Sequence, residues 1–295
     1  MAFDRQRQRS ALSDLAEAEQ PLLLEQLHAK RFSGCLIATD RPAIELAPQL
    51  VKLAAQFSIA PISGFNVGAV AVGTSGQLYL GANMEFVGAP LSASLHAEQS
   101  AVLNAWMHGE RAILALAISA APCGHCRQFL WELSNAATLA ISVAHTRTEL
   151  GTLFPMPFGA ARQPGHGLLD SPTIPLDSLD PLCDPLCDEL TQRALDSAQH
   201  SYVPYTGAAE GFAIECADGQ RFSARAAESI AFNPSIPAAI GALNQRNLSS
   251  SRDDSIVACT HATLATGHHS NRELTATLLR GVSQAAIKTV RIQTG

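Results

Sequence analysis

Leu12, Leu15, Leu22, Leu23 and Leu27 recur at helical spacing, interrupted at Pro21, and predict a helical N-terminal region over residues 1–45. A further helix is expected over 47–57, with Pro48 in its first turn, followed by a loop from Ser58 to Gly64. Phe65–Val72 and Gln77–Ala82 then read as two strands joined by Gly73-Thr74-Ser75-Gly76, the residue chemistry of a hairpin turn. Leu95–His108 has an amphipathic helical pattern, with Ser92 or Ser94 placed to cap its start. The apolar run 112–120 suits a buried strand. Pro122 cannot lie inside a helix, so Cys123 should begin another one through Phe129, Leu130 and Leu133. A strand over 139–144 follows. Strand and helix alternate, which predicts an α/β layer with helices on the sheet faces.

Beyond this region the pattern changes. Seven prolines fall between Pro155 and Pro185, together with Gly159, Gly165 and Gly167, and mark a linker or wrapping arm over 155–187. Cys183 and Cys187 lie in it without a histidine or further cysteine nearby, so no metal role is assigned to them. From Asp188 the chain repeats itself. Ala198-Gln199-His200-Ser201 echoes Ala55-Gln56-Phe57-Ser58, and Pro204, Gly211, Gly219 and Glu228 stand 143 residues after Pro61, Gly68, Gly76 and Glu85. The expected organisation is a helical region (1–45), a first α/β domain (46–154), the arm (155–187) and a second copy (188–295).

Composition narrows the function. Hydrophobic residues make up 47% and charged residues 16% of 295 positions, as in an ordinary globular protein. A formal net charge of −6 with no Lys/Arg run argues against a nucleic-acid polymer as partner. No apolar run approaches a membrane span, and the polar, Arg-rich start does not read as a secretion signal. Seven scattered cysteines do not form a disulfide framework, so reduced thiols and a cytoplasmic location are expected.

The chemistry concentrates between His96 and Cys126. His96, Cys123 and Cys126 offer zinc three of its four tetrahedral ligands, and the open corner admits water, which the metal acidifies towards neutral pH. Glu98 is better suited to moving protons beside that water than to ligation. His125 reads as a turn residue, because a fourth protein ligand would close the site. In the repeat, the same offset puts Ala239, Gly241, Thr266 and His269 at the four positions, so the second copy should be degenerate and the chain should bind one zinc. The adjacent pair His268-His269 lacks cysteine partners and is read as packing.

His96-Ala97-Glu98 followed by Pro122-Cys123-Gly124-His125-Cys126 is the H-x-E…P-C-x-x-C pattern of zinc deaminases. With Phe65-Asn66-Val67-Gly68-Ala69, Gly81-Ala82-Asn83-Met84-Glu85-Phe86 and the later Phe232-Asn233-Pro234, the whole chain resembles the two-domain, homodimeric bacterial type of cytidine deaminase. That resemblance implies an α/β fold, a three-layer αβα sandwich with a mixed sheet, present twice. It implies Zn²⁺ on His96, Cys123 and Cys126, with Glu98 as proton shuttle. Asn83 and Glu85 would hold the ribose 3′-hydroxyl, Phe65 the pyrimidine face, and main-chain groups near Ala97 and Ala121 the base. An aromatic would come from the partner subunit's arm, for which Phe158 matches better than Phe154. The implied reaction is hydrolytic deamination of cytidine and deoxycytidine to uridine and deoxyuridine, in pyrimidine salvage. Two alternatives share the metal motif. A zinc deaminase of nucleotides, free bases or nucleic acids leaves Asn83-Met84-Glu85 without a purpose. A non-enzymatic zinc domain would need a fourth protein ligand.

Overall fold

The computed structural model describes residues 5–144, 146–178, 188–265 and 269–294; Cys183, Cys187, Thr266 and His268 lie outside them. The chain forms two compact units, each assembled from three segments. The first comprises Met1–Glu85, Ser94–Asp170 and Asn247–Asp253, the second Phe86–Ala93, Ser171–Arg246 and Asp254–Gly295.

In the first unit the N-terminal helices are α1 (Arg5–Ala11) and α2 (Glu19–Leu27). Pro21 does not interrupt a helix as expected. It sits in the first turn of α2, where its missing N–H would have had no partner anyway. The expected continuous helix over 47–57 is instead a chain of short turns: α3 (Ala43–Leu46), α4 (Val51–Ala54) and two 3-10 turns, Ala47–Gln49 and Ala55–Phe57. Strands β1 (Cys35–Ile37), β2 (Gly68–Gly73), β3 (Gln77–Ala82), β4 (Ile113–Ile118), β5 (Ala140–Val143) and β6 (Thr146–Glu149) form one sheet in the order β1-β3-β2-β4-β5-β6. β4 and β5 run parallel and the other pairs antiparallel, so the sheet is mixed. Between strands lie α5 (Ala97–Met107), α6 (Gly124–Leu130) and, after β6, α7 (Leu150–Leu153).

Two glycines show the layering. Gly68 pairs with Ala82 and Gly81 with Ala69, so their missing side chains point to opposite faces of the sheet. A Cβ on Gly68 would collide with the backbone of Val51 and Ala55, at α4; one on Gly81 would collide with Ala97 and Ala101 of α5. Helices therefore cover both faces. Leu36, Leu50, Leu53, Phe57, Val70 and Leu80 fill the core on the N-terminal side, joined by Leu12 and Leu23.

The second unit repeats this plan with β7 (Leu176–Ser178), α8 (Glu189–Gln199), β8 (Glu210–Cys216), β9 (Arg221–Arg225), α9 (Ala238–Asn247), β10 (Ile256–Leu264), α10 (Arg272–Arg280) and β11 (Ile287–Thr294). Its sheet runs β7-β11-β10-β8-β9, with β10 and β11 parallel. The repetition extends to detail. Gly211, 143 residues after Gly68, abuts Ala194 and Ala198 of α8 as Gly68 abuts Val51 and Ala55. A register shift between Ile113 and Ala115 recurs between Ile256 and Ala258.

A single offset does not hold throughout, and the expected degenerate counterparts are corrected accordingly. Met84 bridges Leu95 eleven residues on, whereas Ala227 bridges Ile236 nine residues on. The Ser100 N–H bonds to the His96 carbonyl as Gly241 N–H bonds to that of Pro237. Pro237 thus stands at the position of His96, and Ala239 at that of Glu98. Similarly, Asn271 opens α10 as Cys123 opens α6, which aligns Leu274 with Cys126.

Candidate active site and metal centre

All the expected site residues belong to the first unit. His96 is the last extended residue before α5 (φ −85°, ψ 155°) and is itself the N-cap. This replaces the expected Ser92 or Ser94 cap. Leu95 exchanges backbone hydrogen bonds of 2.9 and 2.8 Å with Met84, which keeps the chain extended until His96. Gln99 accepts from the His96 N–H at 3.1 Å, closing the helix start. Cys123 caps α6 in the same way, its Sγ accepting from the Cys126 N–H at 3.5 Å. Each helix start therefore delivers ligands to one point.

There the His96 Nδ1 lies 3.3 Å from Cys126 Sγ and 3.5 Å from Cys123 Sγ, and the two sulfurs are 3.6 Å apart. With zinc bond lengths of about 2.3 Å to sulfur and 2.0–2.1 Å to nitrogen, a tetrahedral edge is about 3.5–3.8 Å. The triangle is thus the right size for three ligands of a tetrahedral zinc, with one corner open. It is the only group of three or more His, Cys, Asp or Glu side chains among the described residues that could hold a metal. The ligand chemistry is also primed. Contact with Cys126, and then with His96, holds the Cys123 thiol down at about 3 against the opposing effect of burial, which favours the thiolate form that zinc binds.

Glu98, in the first turn of α5, is 4% exposed. Burial pushes its carboxyl up, opposed by the nearby His96 imidazole. His125 is outside the ligand triangle. Its ring stacks on His96 at 5.1 Å, and its Nε2 is 3.3 Å from Gln99 Nε2. Second contacts of this kind orient a ligand ring.

Asn83 and Glu85 follow β3 and clasp the loop in front of β2. Asn83 Oδ1 accepts from Ser58 Oγ (2.6 Å) and the Val67 N–H (2.8 Å), while Nδ2 donates to the Phe65 carbonyl (2.9 Å). Glu85 Oε2 accepts from the N–H groups of Ile62 (2.7 Å) and Ser63 (3.0 Å), and Oε1 from Ser63 Oγ. These bonds explain why the strand expected from Phe65 begins at Gly68. They leave one Asn83 N–H and part of the lone-pair capacity of Glu85 Oε1 for another molecule. Phe65, at the end of the clasped loop, is 62% exposed. Ala97 is buried, and Ala121 is exposed next to the buried Pro122.

The arm is tied to the metal helix. Gln128 exchanges two hydrogen bonds with the Phe158 backbone (2.9 and 3.1 Å), leaving the Phe158 ring 64% exposed. Phe154 packs edge-on against Trp131 at 6.1 Å.

Residues 42–142 and 151–276 each match a family model described as the cytidine and deoxycytidylate deaminase zinc-binding region. A cytidine deaminase of Enterobacter sp. (strain 638) is 40% identical over 249 residues, spanning 81% of this chain and 83% of the relative. The chain belongs to the cytidine deaminase family. Solved cytidine deaminases from Mycobacterium tuberculosis and Burkholderia pseudomallei are 32% and 31% identical, covering 39% and 41% of this chain and 97% and 100% of theirs, with TM-scores of 0.37 and 0.35. The second family match falls where Pro237, Asn271 and Leu274 replace the metal ligands, and no donor triangle forms among its described residues.

Gln99 and Gln128 belong to the family motifs, but neither was assigned a role from the sequence. Gln99 was open to detection, since glutamine three residues after an N-cap is a helix-start signal. Gln128 was not, because its partner backbone lies 30 residues away.

Proposed function

We propose that the chain is a zinc-dependent cytidine deaminase, converting cytidine and deoxycytidine to uridine and deoxyuridine with release of ammonia. The reading rests on one geometry: three soft and borderline donors in a zinc-sized triangle, with the buried carboxyl of Glu98 in the adjoining helix turn. Bound zinc would make water a nucleophile near neutral pH. Glu98 would pass a proton to N3 of the pyrimidine as water oxygen adds to C4. It would then deliver a second proton to the amine as the C4–N bond breaks and ammonia leaves. Its buried setting suits a group that must gain and lose protons within one cycle.

The remaining hydrogen-bonding capacity of Asn83 and Glu85 matches a sugar hydroxyl, and Phe65 offers a face to the pyrimidine, with main chain near Ala97 and Ala121 reading the base edge. A nucleotide is disfavoured. Arg127, beside Cys126, is committed to the carbonyls of Pro122 (2.9 Å) and Leu153 (2.8 Å). Phe154 is engaged within its own chain, so Phe158 is the aromatic assigned to the partner subunit's site in a homodimer. Among the described residues Cys35, Cys123, Cys126, Cys216 and Cys259 are unpaired, in keeping with a cytoplasmic enzyme of pyrimidine salvage; no described helix is long and apolar enough to cross a membrane. Assaying ammonia release from cytidine, deoxycytidine, deoxycytidylate, cytosine and adenosine tests the reading. Turnover of the two pyrimidine nucleosides well above the others is expected; preference for deoxycytidylate or adenosine would overturn it.

A further inference from the structure

The second unit has lost its metal ligands but keeps a cavity of about 560 Å³ where the first unit has its site. Its walls repeat the first unit's site position by position. Tyr205 and Thr206 stand for Ile62 and Ser63, Pro237 for His96, and Asn271 and Leu274 for Cys123 and Cys126. Glu228 keeps the clasp of Glu85: its carboxylate accepts from the N–H groups of Tyr205 (3.0 Å) and Thr206 (3.2 Å) and from Thr206 Oγ1. Two replacements open room beside the clasp, Ala208 at the position of Phe65 and Ala226 at that of Asn83, while Tyr205, Thr206, Asn271 and Leu274 are larger than the residues they replace, and the cavity persists. Phe232 lines the same cavity with φ +60° and 63% exposure. A left-handed aromatic is a rare conformation that persists only where its surroundings require it.

We propose that this cavity is a non-catalytic binding site for an uncharged nucleoside, with Glu228 accepting from the sugar and apolar Ile240, Leu274 and Phe232 against the base. No lysine or arginine lines the cavity, and its one imidazole is that of His269, so a phosphorylated ligand meets no permanent positive charge there. The proposal rests on the reading of the first unit as a nucleoside site, through the shared clasp. It is tested with the zinc-loaded full chain by equilibrium dialysis against uridine, which is not turned over. Two uridines per chain are expected in the wild type and one in Leu274→Trp, which fills the cavity from α10. Ile240→Trp, filling it from α9, should give the same result, with zinc content and the circular dichroism spectrum reporting that each variant is folded. Uridine 5′-monophosphate should not displace the second uridine. One uridine per chain in all three proteins overturns the proposal, as does displacement by the monophosphate. One in the wild type falling to none in both variants would keep this site and overturn the nucleoside reading of the first unit.

Discussion

Glu85→Ala separates two roles that coincide in one carboxylate. The side chain accepts three hydrogen bonds from Ile62 and Ser63, and is assigned part of the grip on ribose. The repeat provides an internal control, because Glu228 makes the same three bonds in a unit without a metal triangle. Hydrogen bonds to a charged group contribute about 1.5–3 kcal/mol each when well shielded. Water can replace the partners of the partly exposed Glu85 carboxylate, so we expect only about 1–2 kcal/mol of stability to be lost in Glu85→Ala, whereas Glu228 is buried and Glu228→Ala should cost more. Catalysis should respond more strongly at Glu85 alone. Losing a charge-assisted bond to the sugar, plus misplacement of C4 against the nucleophile, should remove about 2–4 kcal/mol of transition-state stabilisation. That corresponds to roughly 30- to 1,000-fold in kcat/KM. The assay compares cytidine with free cytosine in wild type and variant. The already slow cytosine reaction should scarcely change, since cytosine has no sugar to hold. An equal fractional loss on both substrates would refute ribose binding and leave Glu85 as a loop clasp.

Three further outcomes are expected. Glu98→Gln keeps the shape and the zinc but removes the proton carrier, and should lower kcat by about 10⁴-fold or more; a variant retaining a tenth of normal activity would remove Glu98 from the mechanism. Elemental analysis should find one zinc per chain, and Cys126→Ala should lose it with a lower melting temperature, whereas two zincs would contradict the degenerate second unit. Mixing inactive Glu98 and Phe158 variants should restore activity through hybrid sites carrying neither lesion. No rescue, with subunit exchange confirmed, would mean that each site is built from one chain.

The metal centre was legible because zinc demands particular residue types close together, and because Pro122 marks the helix start at Cys123. The four inner strands β2 to β5 were legible from apolar runs. Edge strands were not: β1 has three residues, and β6 is Thr-Arg-Thr-Glu, with no apolar face to betray it. The helix cap was misjudged since Ser92 and Ser94 have the better propensity, yet the Leu95–Met84 bridge decides where the chain stops being extended. A uniform offset matched β2, β3 and β4 to β8, β9 and β10 but misplaced the metal positions and β11, because the length changes lie in connections where no pattern constrains them. The spacing of Asn83 and Glu85 was readable; that both grip a loop some twenty residues earlier was a tertiary fact.

The seven residues Asn247–Asp253 run on from the last residue of α9, whose preceding turns lie in the second unit, but belong to the first. Leu248 lies in the first unit's core beside Gly34, Asn247 donates to the Phe57 carbonyl at 2.8 Å, and Ser250 donates to that of Lys30 at 2.9 Å. A gene cut after Asp170 would therefore encode a catalytic half with a hole in its centre and orphaned carbonyls around it. Deleting the copy without metal ligands would also remove these seven residues from the unit that has them, which ties retention of the inactive half to the packing of the active one.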